Sequence, residues 1–590
     1  MKTDPYLPLP SSPVEGGAVM ADVPSSRSHL VPVLLLFCLS VFLSSCMGQE
    51  VKSFSWLSLD AQRIRLYATG SGTAMPDGEI KAGAAPRLYR LAEPRSLPAG
   101  EALEFEFRRN GVGAGSTVPR IVVSLSSSND GSEPFLSQEI ALHEDHESFM
   151  LALTPGSTAR SLRLSLPEAA AAGKAAAGAA ETWTVDLVAV RERPLVLGVD
   201  RGTDSLFLSQ GTSVFIENAR QHVRIDSEVL ASFASAAASG FKGLAPGILV
   251  EYGKGGAGAA FDIEADGTRV VRARLRPQGV RTVFPLSILP VGAGRLELVL
   301  PANVGLVSFK VGWLDARDAE LADFGRILRS PAADPRADYD LYRWDLLPSV
   351  LVFDFRDYEV QNRYLRRLAF FVEKIGYKGR LASDEELAGL HAWNAHDYRA
   401  EDLAAFFETA RATSFTLLPE ESALRDLLLS RGVIVEKDGK YAAGTGAIIS
   451  ISRESEGYLR TMFLTHESTH AIYFVDADYR AFVQGIWAAM PREEKWFWLV
   501  YFGWKTYDVD DGYLMANEYQ AYLLQQVPGL VTDYFTKSKP AELLEKHPEL
   551  TDRVEAYMKT WGASFAERQA ALDGWLGAKY GFRAGRASAW

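Results

Sequence analysis

His466-Glu467-Ser468-Thr469-His470 constrains this chain more than any other five residues. Its two imidazoles can meet at one point only if the backbone between them is helical, because positions i and i+4 share a helix face. With nine histidines in 590 residues, residue frequencies give roughly 0.01 chance matches to His-Glu-x-x-His over the whole chain. The flanks agree with a helix: Leu459, Met462, Phe463, His466, His470 and Tyr473 recur at i, i+3, i+4, i+7 spacing and trace one apolar stripe. Both histidines therefore face inward, with an acid between them. That arrangement points to a divalent-metal site with a base attached, and the plainer alternative is a pair of core histidines satisfied by hydrogen bonds.

A catalytic zinc takes three protein ligands and keeps a fourth position open. Downstream, residues 512–524 have a helical pattern entered after Asp510 and Asp511, which suit an N-cap and first turn. Leu514, Met515, Glu518, Ala521 and Tyr522 share its inner face, and a carboxylate buried there requires a partner or a metal. Glu518 is the candidate third ligand. Together, His466-Glu467-x-x-His470 and Asn517-Glu518-x-x-Ala521 resemble the gluzincin metallopeptidases, the thermolysin-like branch of the zincins, over about residues 445–526. The resemblance implies His466, His470 and Glu518 as zinc ligands and Glu467 as general base. One departure is the 47 residues between His470 and Glu518, more than the family pattern shows, which calls for an inserted helical excursion. Asp476, six positions after His470, is the rival ligand of zincins that turn tightly after the helix. Those place Gly where this chain has Tyr473.

Residues 447–452 read as a strand, and 433–440 carry an Asp-Gly hairpin signal. A strand just before the motif helix resembles the edge strand on which gluzincins lay an extended substrate by backbone hydrogen bonds. An ordinary internal strand reads the same way.

The front of the chain indicates where such chemistry takes place. Residues 30–45 form an apolar run too short for a comfortable membrane span of about twenty residues, and they fit a signal-peptide core. The run ends in Leu43-Ser44-Ser45-Cys46, which resembles the bacterial lipoprotein cleavage box, so residues 1–45 are expected to be a signal peptide and Cys46 the lipidated first residue. A plain secretory signal or an uncleaved anchor is the alternative, and Met20 is a candidate start. Met47 after the cysteine leans toward an outer-membrane or surface lipoprotein of the cell envelope, reached by the membrane through the lipid. Cys38 is the other of two cysteines and would leave with the signal, so no disulfide is expected. A net charge of −12 gives no electrostatic basis for binding nucleic acid.

The expected architecture is multidomain: N-terminal all-β sandwich domains followed by a mainly helical α+β zincin-like domain. Alternating or β-branched runs at 103–107, 121–125, 149–153 and 185–190, then 248–252, 270–275, 296–300 and 306–311, suggest one sandwich over 46–195 and a second over 196–316. A faint repeat links the two sets, and the Ala/Gly tract at 169–180 reads as a loop insertion. Charge and Pro-Ala-Ala-Asp-Pro punctuation make 317–340 a linker. Helical stripes such as Tyr364, Leu365, Leu368, Phe371, Val372 and Ile375 then place the metal-binding domain at 341–590.

Three further groups are weighed against plainer roles. His391 to Arg399 reads as a loop before a helix capped near Asp397, able to line a cleft. His143-Glu144-Asp145-His146-Glu147 reads as solvated charge. Trp487, Trp496, Trp498, Tyr501, Trp504 and Tyr507 crowd the insertion as core or as a substrate platform, and Tyr507, Tyr513 and Tyr519 are each possible transition-state donors.

The expected activity is amide hydrolysis by a water activated on Zn2+, with Glu467 accepting its proton and returning it to the leaving nitrogen, on a peptide, protein or peptidoglycan-peptide substrate. The competing expectation is a surface lipoprotein whose β-sandwiches bind glycan or protein, with an inactive or structural metal domain.

Overall fold

The computed structural model describes most of residues 101–590, except 111–117, 153–156, 166–183, 231–240 and a few scattered positions, together with short strands between 55 and 96. The expected signal peptide, Cys46, His391 and the Ala/Gly tract lie outside the described residues. Among the described residues, no helix is long and apolar enough to cross a membrane.

The chain is β-rich up to Asp315 and mainly helical beyond it. The N-terminal part packs two five-stranded sheets against one ten-stranded sheet. Strands Glu101–Asn110, His146–Ala152 and Thr184–Pro194 of the long sheet bury Leu103, Phe105, Phe107, Leu151 and Val190 against Ile121, Val123, Leu125, Leu162 and Leu164 of the first small sheet. The far half of the long sheet, including Leu244–Tyr252 and Leu306–Asp315, buries Ile248, Val250, Phe309 and Val311 against Val223, Phe261, Ile263 and Leu298 of the second. The two apolar layers share a backbone, because Leu206–Ser209 pairs in parallel with His146–Ala152. Alternating burial along these strands is what turns a period-two sequence into a sandwich. In the segment expected to be solvated charge, Glu147 is buried, and its carboxylate accepts hydrogen bonds from the backbone N–H groups of His143 and Glu144. Burial pushes its carboxyl up to about 7.

Residues expected to form a linker are folded into the second half. Helix Ala316–Ala319, strand Leu321–Ala322 and helix Phe324–Arg329 bury Ala322, Phe324 and Ile327, and Phe324 stacks on Trp344 with ring centres 4.6 Å apart. Two acids in and just before this stretch are helix caps: Asp315 accepts from the Arg317 N–H and Asp323 from the Gly325 N–H.

A five-stranded sheet forms the centre of this half, in the order Leu321–Ala322, Tyr339–Trp344, Val350–Phe355, Ala447–Ser452, His396–Arg399. Val350–Phe355 and Ala447–Ser452 pair in parallel and are buried throughout, which explains their unbroken apolar runs. Leu351, Phe353 and Phe355 face helices Tyr358–Glu373, Ala400–Ala412 and Pro419–Arg431. Val350, Val352, Ile449 and Ile451 face the motif helix Gly457–Val475 and the helices that follow. The expectation of a substrate-facing edge at 447–452 is corrected here. That strand is internal, and the edge is His396–Arg399, which pairs antiparallel with it. Of the supposed loop, His396–Arg399 is therefore a strand, and the following helix starts at Ala400 rather than at a cap on Asp397.

Candidate metal centre

The motif helix leaves the internal strand through a short turn, and its first turn is anchored by a buried ion pair, Arg460 to Asp354 at 2.8 and 3.1 Å. From Phe463 to Tyr473 every side chain is buried, so the helix runs through the interior rather than along a surface. Ser468 and Thr469 tolerate this because their hydroxyls donate to the carbonyls of Thr465 and His466, both at 2.8 Å.

Helix Gly512–Leu524, capped by Asp511 on the N–H groups of Tyr513 and Leu514, packs across the motif helix. It carries Glu518 to the two imidazoles. The Nε2 atoms of His466 and His470 each stand 3.8 Å from a Glu518 oxygen, and the rings lie 4.7 Å apart, nearly perpendicular. Two zinc–ligand bonds of about 2.0–2.2 Å span that separation. The ligand-bearing atoms of the three residues all fall within 4.8 Å of one another, and all three residues are buried.

The chemistry of these groups fits a cation. Burial, helped by His470 alongside, drives the His466 pKa well below its usual range, so the ring is neutral and its Nε2 lone pair is available. Its other nitrogen, Nδ1, is 3.0 Å from the Gln525 side-chain oxygen, which sets the tautomer, and the Gln525 amide in turn donates to Tyr534 at 3.3 Å. Burial raises the Glu518 carboxyl well above its usual range, and the carboxyls of Asp397 and Glu373 raise it further, while a hydrogen bond from Tyr507 opposes them. Glu518 Oε2 is buried and makes no hydrogen bond to any described residue. An ion between it and the imidazoles would satisfy it.

Glu467 is buried one residue along, on the wall of the same cavity. Burial and the Asp397 carboxyl, which is hydrogen-bonded to it, push its pKa well above the ordinary carboxyl range. The cavity holds about 30 Å³ of water-sized space, lined by His466, Glu467, His470, Glu518, Asp397 and Tyr507 among others. An adjoining cavity of about 80 Å³ shares Glu373, Asp397 and Glu518 and reaches Lys378, Arg399 and Tyr513.

Asp476 lies away from the imidazoles. It caps helix Ala477–Ala489 through the N–H groups of Asp478 and Tyr479 and binds Tyr580 at 2.5 Å and Lys579 at 2.7 Å. The long spacer to Glu518 is two helices, Ala477–Ala489 and Arg492–Trp504. Trp498 and Tyr501 from this insertion are fully buried core. Of the three tyrosines, Tyr507 reaches Glu518 and Tyr513 lies under the Arg399 guanidinium at 4.7 Å, while Tyr519 is sealed among Trp487 and Trp498. Asp397, Glu373 and Gln525 join the site without any motif to announce them.

No family model and no curated protein matches this chain. Several solved structures align with it at low similarity. One, described as "CBM4 structure and function", is 13% identical with a TM-score of 0.12 and covers 25% of this chain and 93% of its own length. A putative secreted protein from Parabacteroides distasonis is 10% identical with a TM-score of 0.13, over 45% of this chain and 91% of its own. A Clostridium perfringens structure of an M60 catalytic domain with two CBM51 domains is 8% identical with a TM-score of 0.12, over 45% and 37%. At these TM-scores none of them assigns a family.

Proposed function

We propose that the helical half is a gluzincin-like zinc metallopeptidase domain that hydrolyses amide bonds of peptides, proteins or peptidoglycan stems, carried in the cell envelope on a lipid at Cys46. The observation that supports it is the convergence of two imidazoles and one carboxylate on one point, with a second carboxyl, Glu467, on the same small cavity. His466, His470 and Glu518 would hold the ion, and Gln525 orients His466. When bound, zinc supplies an electrophile that acidifies water and polarises a carbonyl.

The remaining chemistry belongs to the chain. Glu467 takes the water proton and later delivers it to the leaving nitrogen, from its place on the wall of the cavity that holds the three candidate ligands. Tyr507 keeps the Glu518 carboxylate in place. Most of the residues that line the cavity are buried, which strengthens the interaction of charges placed among them.

The test is zinc content and cleavage of a mixed peptide library by the full chain and by Glu467→Gln. Expected is about one zinc in both proteins and a loss of about 10²–10⁴-fold in cleavage in the variant, the usual weight of a general base. Zinc bound by both with no Glu467-dependent cleavage of peptide or muropeptide would favour the reading as a binding lipoprotein.

A further inference from the structure

The candidate metal centre lies beside a seam between two apolar cores. In the adjoining cavity of about 80 Å³, one wall holds Val372, from the end of helix Tyr358–Glu373, and Lys378, from the turn after it. The facing wall holds Phe474 together with Tyr513 and Leu514 of helix Gly512–Leu524. Val372 packs with Leu351 and Phe353 on one side of the five-stranded sheet, whereas Phe474, Tyr513 and Leu514 pack with Val350 and Val352 on the other. The two walls therefore belong to separate apolar clusters. Among the lining residues, Glu518 and Asn517 are buried and Lys378 is exposed, so the cavity leads from the candidate ligand outward to Lys378. There the Lys378 ammonium crosses the seam, 2.8 Å from Asp511 and 3.7 Å from Asp508. Arg399 also reaches across, over the Tyr513 ring at 4.7 Å, but its charge is matched on its own side by Asp402 at 2.9 Å.

The space behind this crossing is small. About 80 Å³ is roughly half of a cavity that takes up one benzene ring, and the space at the imidazoles is about 30 Å³. A peptide bond with a residue on either side is larger than a benzene ring, so the walls must part to admit it. We propose that Lys378, with Asp508 and Asp511, is the gate of the candidate metal centre, closed in this structure and opened when an extended substrate parts the two walls. Lys378 then sets how large a substrate the site admits. The tie is suited to opening, because Lys378 is 46% exposed and its partners 30% and 38%, so water competes for the pair. Both ends lie outside helices: Gly376 and Gly379, at φ 84° and 73°, flank Lys378, and the loop carrying Asp508 holds Thr506 at φ 67°, a left-handed value costly for a β-branched residue. Asp511 divides its carboxylate, Oδ1 capping the helix and Oδ2 accepting from Lys378. Breaking the pair therefore leaves the helix that carries Glu518 capped.

The gate rests on the reading of the site as a zinc hydrolase, so its test measures opening apart from turnover. Zinc-loaded full chain and its Lys378→Met variant are mixed in stopped flow with acetohydroxamic acid and with the uncharged hydroxamate of N-acetyl-trialanine. The variant is expected to bind the peptide hydroxamate about two- to fivefold faster, the range that losing an exposed ion pair allows, and acetohydroxamic acid at an unchanged rate. Raising the ionic strength from about 0.05 to 0.5 M should speed the peptide hydroxamate onto the wild type by a similar factor and leave the variant unchanged, because salt screens an exposed pair. Hydrogen exchange in the metal-free chain reads the same opening without zinc: amides of 374–380 and 508–514 should exchange about two- to fivefold faster in the variant, and those of Val350–Phe355 at the wild-type rate. Equal peptide-hydroxamate rates in the two proteins, equal acceleration of both hydroxamates, or unaltered exchange would overturn the gate. If the chain takes up no zinc, the hydrolase reading fails and the exchange result alone decides the gate.

Discussion

At the scale of single residues, the site depends on groups that hold other groups. Gln525 makes no contact that a motif would record, yet its carbonyl sets the His466 tautomer. Gln525→Ala should weaken zinc binding by about 10–100-fold in a chelator competition, the usual effect of losing a partner to a ligand histidine. Asp476 makes the opposite case. Its carboxylate is occupied by a helix cap, Tyr580 and Lys579, so Asp476→Ala should cost about 1–2 kcal/mol in urea unfolding and leave zinc content unchanged. A loss of zinc in that variant would restore it as a ligand. His466, Glu467 and His470 were legible because their spacing repeats with the helix, and Glu518 only as a candidate beside its rival Asp476. Gln525, Asp397 and Glu373 were not, because each reaches the site from a different element and no spacing relates them.

At the scale of elements, the motif helix is held less by amphipathic patterning than by complete enclosure. The strict apolar stripe predicted for it understates its burial, since Ser468 and Thr469 on the other side are buried too. The aromatic insertion supplies much of that enclosure. Trp498 packs against Phe502, Tyr519, Phe535 and Phe565. Trp498→Ala should therefore destabilise the helical half by about 3–5 kcal/mol in urea unfolding followed by fluorescence. A change under about 1 kcal/mol would mean the insertion is a surface platform instead. The internal place of Ala447–Ser452 could not be read from its sequence, because a strand buried on both faces and an edge strand covered by helices have the same apolar composition.

At the scale of the whole molecule, the β-rich and helical halves are joined through buried charge. Arg276 reaches Asp323 at 3.2 Å and the Ala587 carbonyl at 3.1 Å, and the N–H groups of Ala589 and Trp590 donate to the same Asp323. Asp345 is buried beside this group, and burial together with Asp323 pushes its carboxyl up to about 7. A folded-state value above the unfolded one means the folded protein binds the extra proton, so this contribution is complete at acid pH and is lost as pH rises through about 7. Asp345→Asn should flatten the fall in stability between about pH 4 and 7, a difference on the order of 4 kcal/mol across that window in urea titrations. An unchanged slope would assign the pH dependence elsewhere. The order of a β-rich part before a helical part, and the helix that brings two histidines together, followed from periodicity in the sequence alone, because local geometry repeats every 2 or 3.6 residues. Which carboxylate closes on those histidines, which strand forms the edge, and where Asp397 and Glu373 lie were decided only by tertiary packing. Those outcomes depend on distances between segments tens to more than a hundred residues apart, and no local period encodes them.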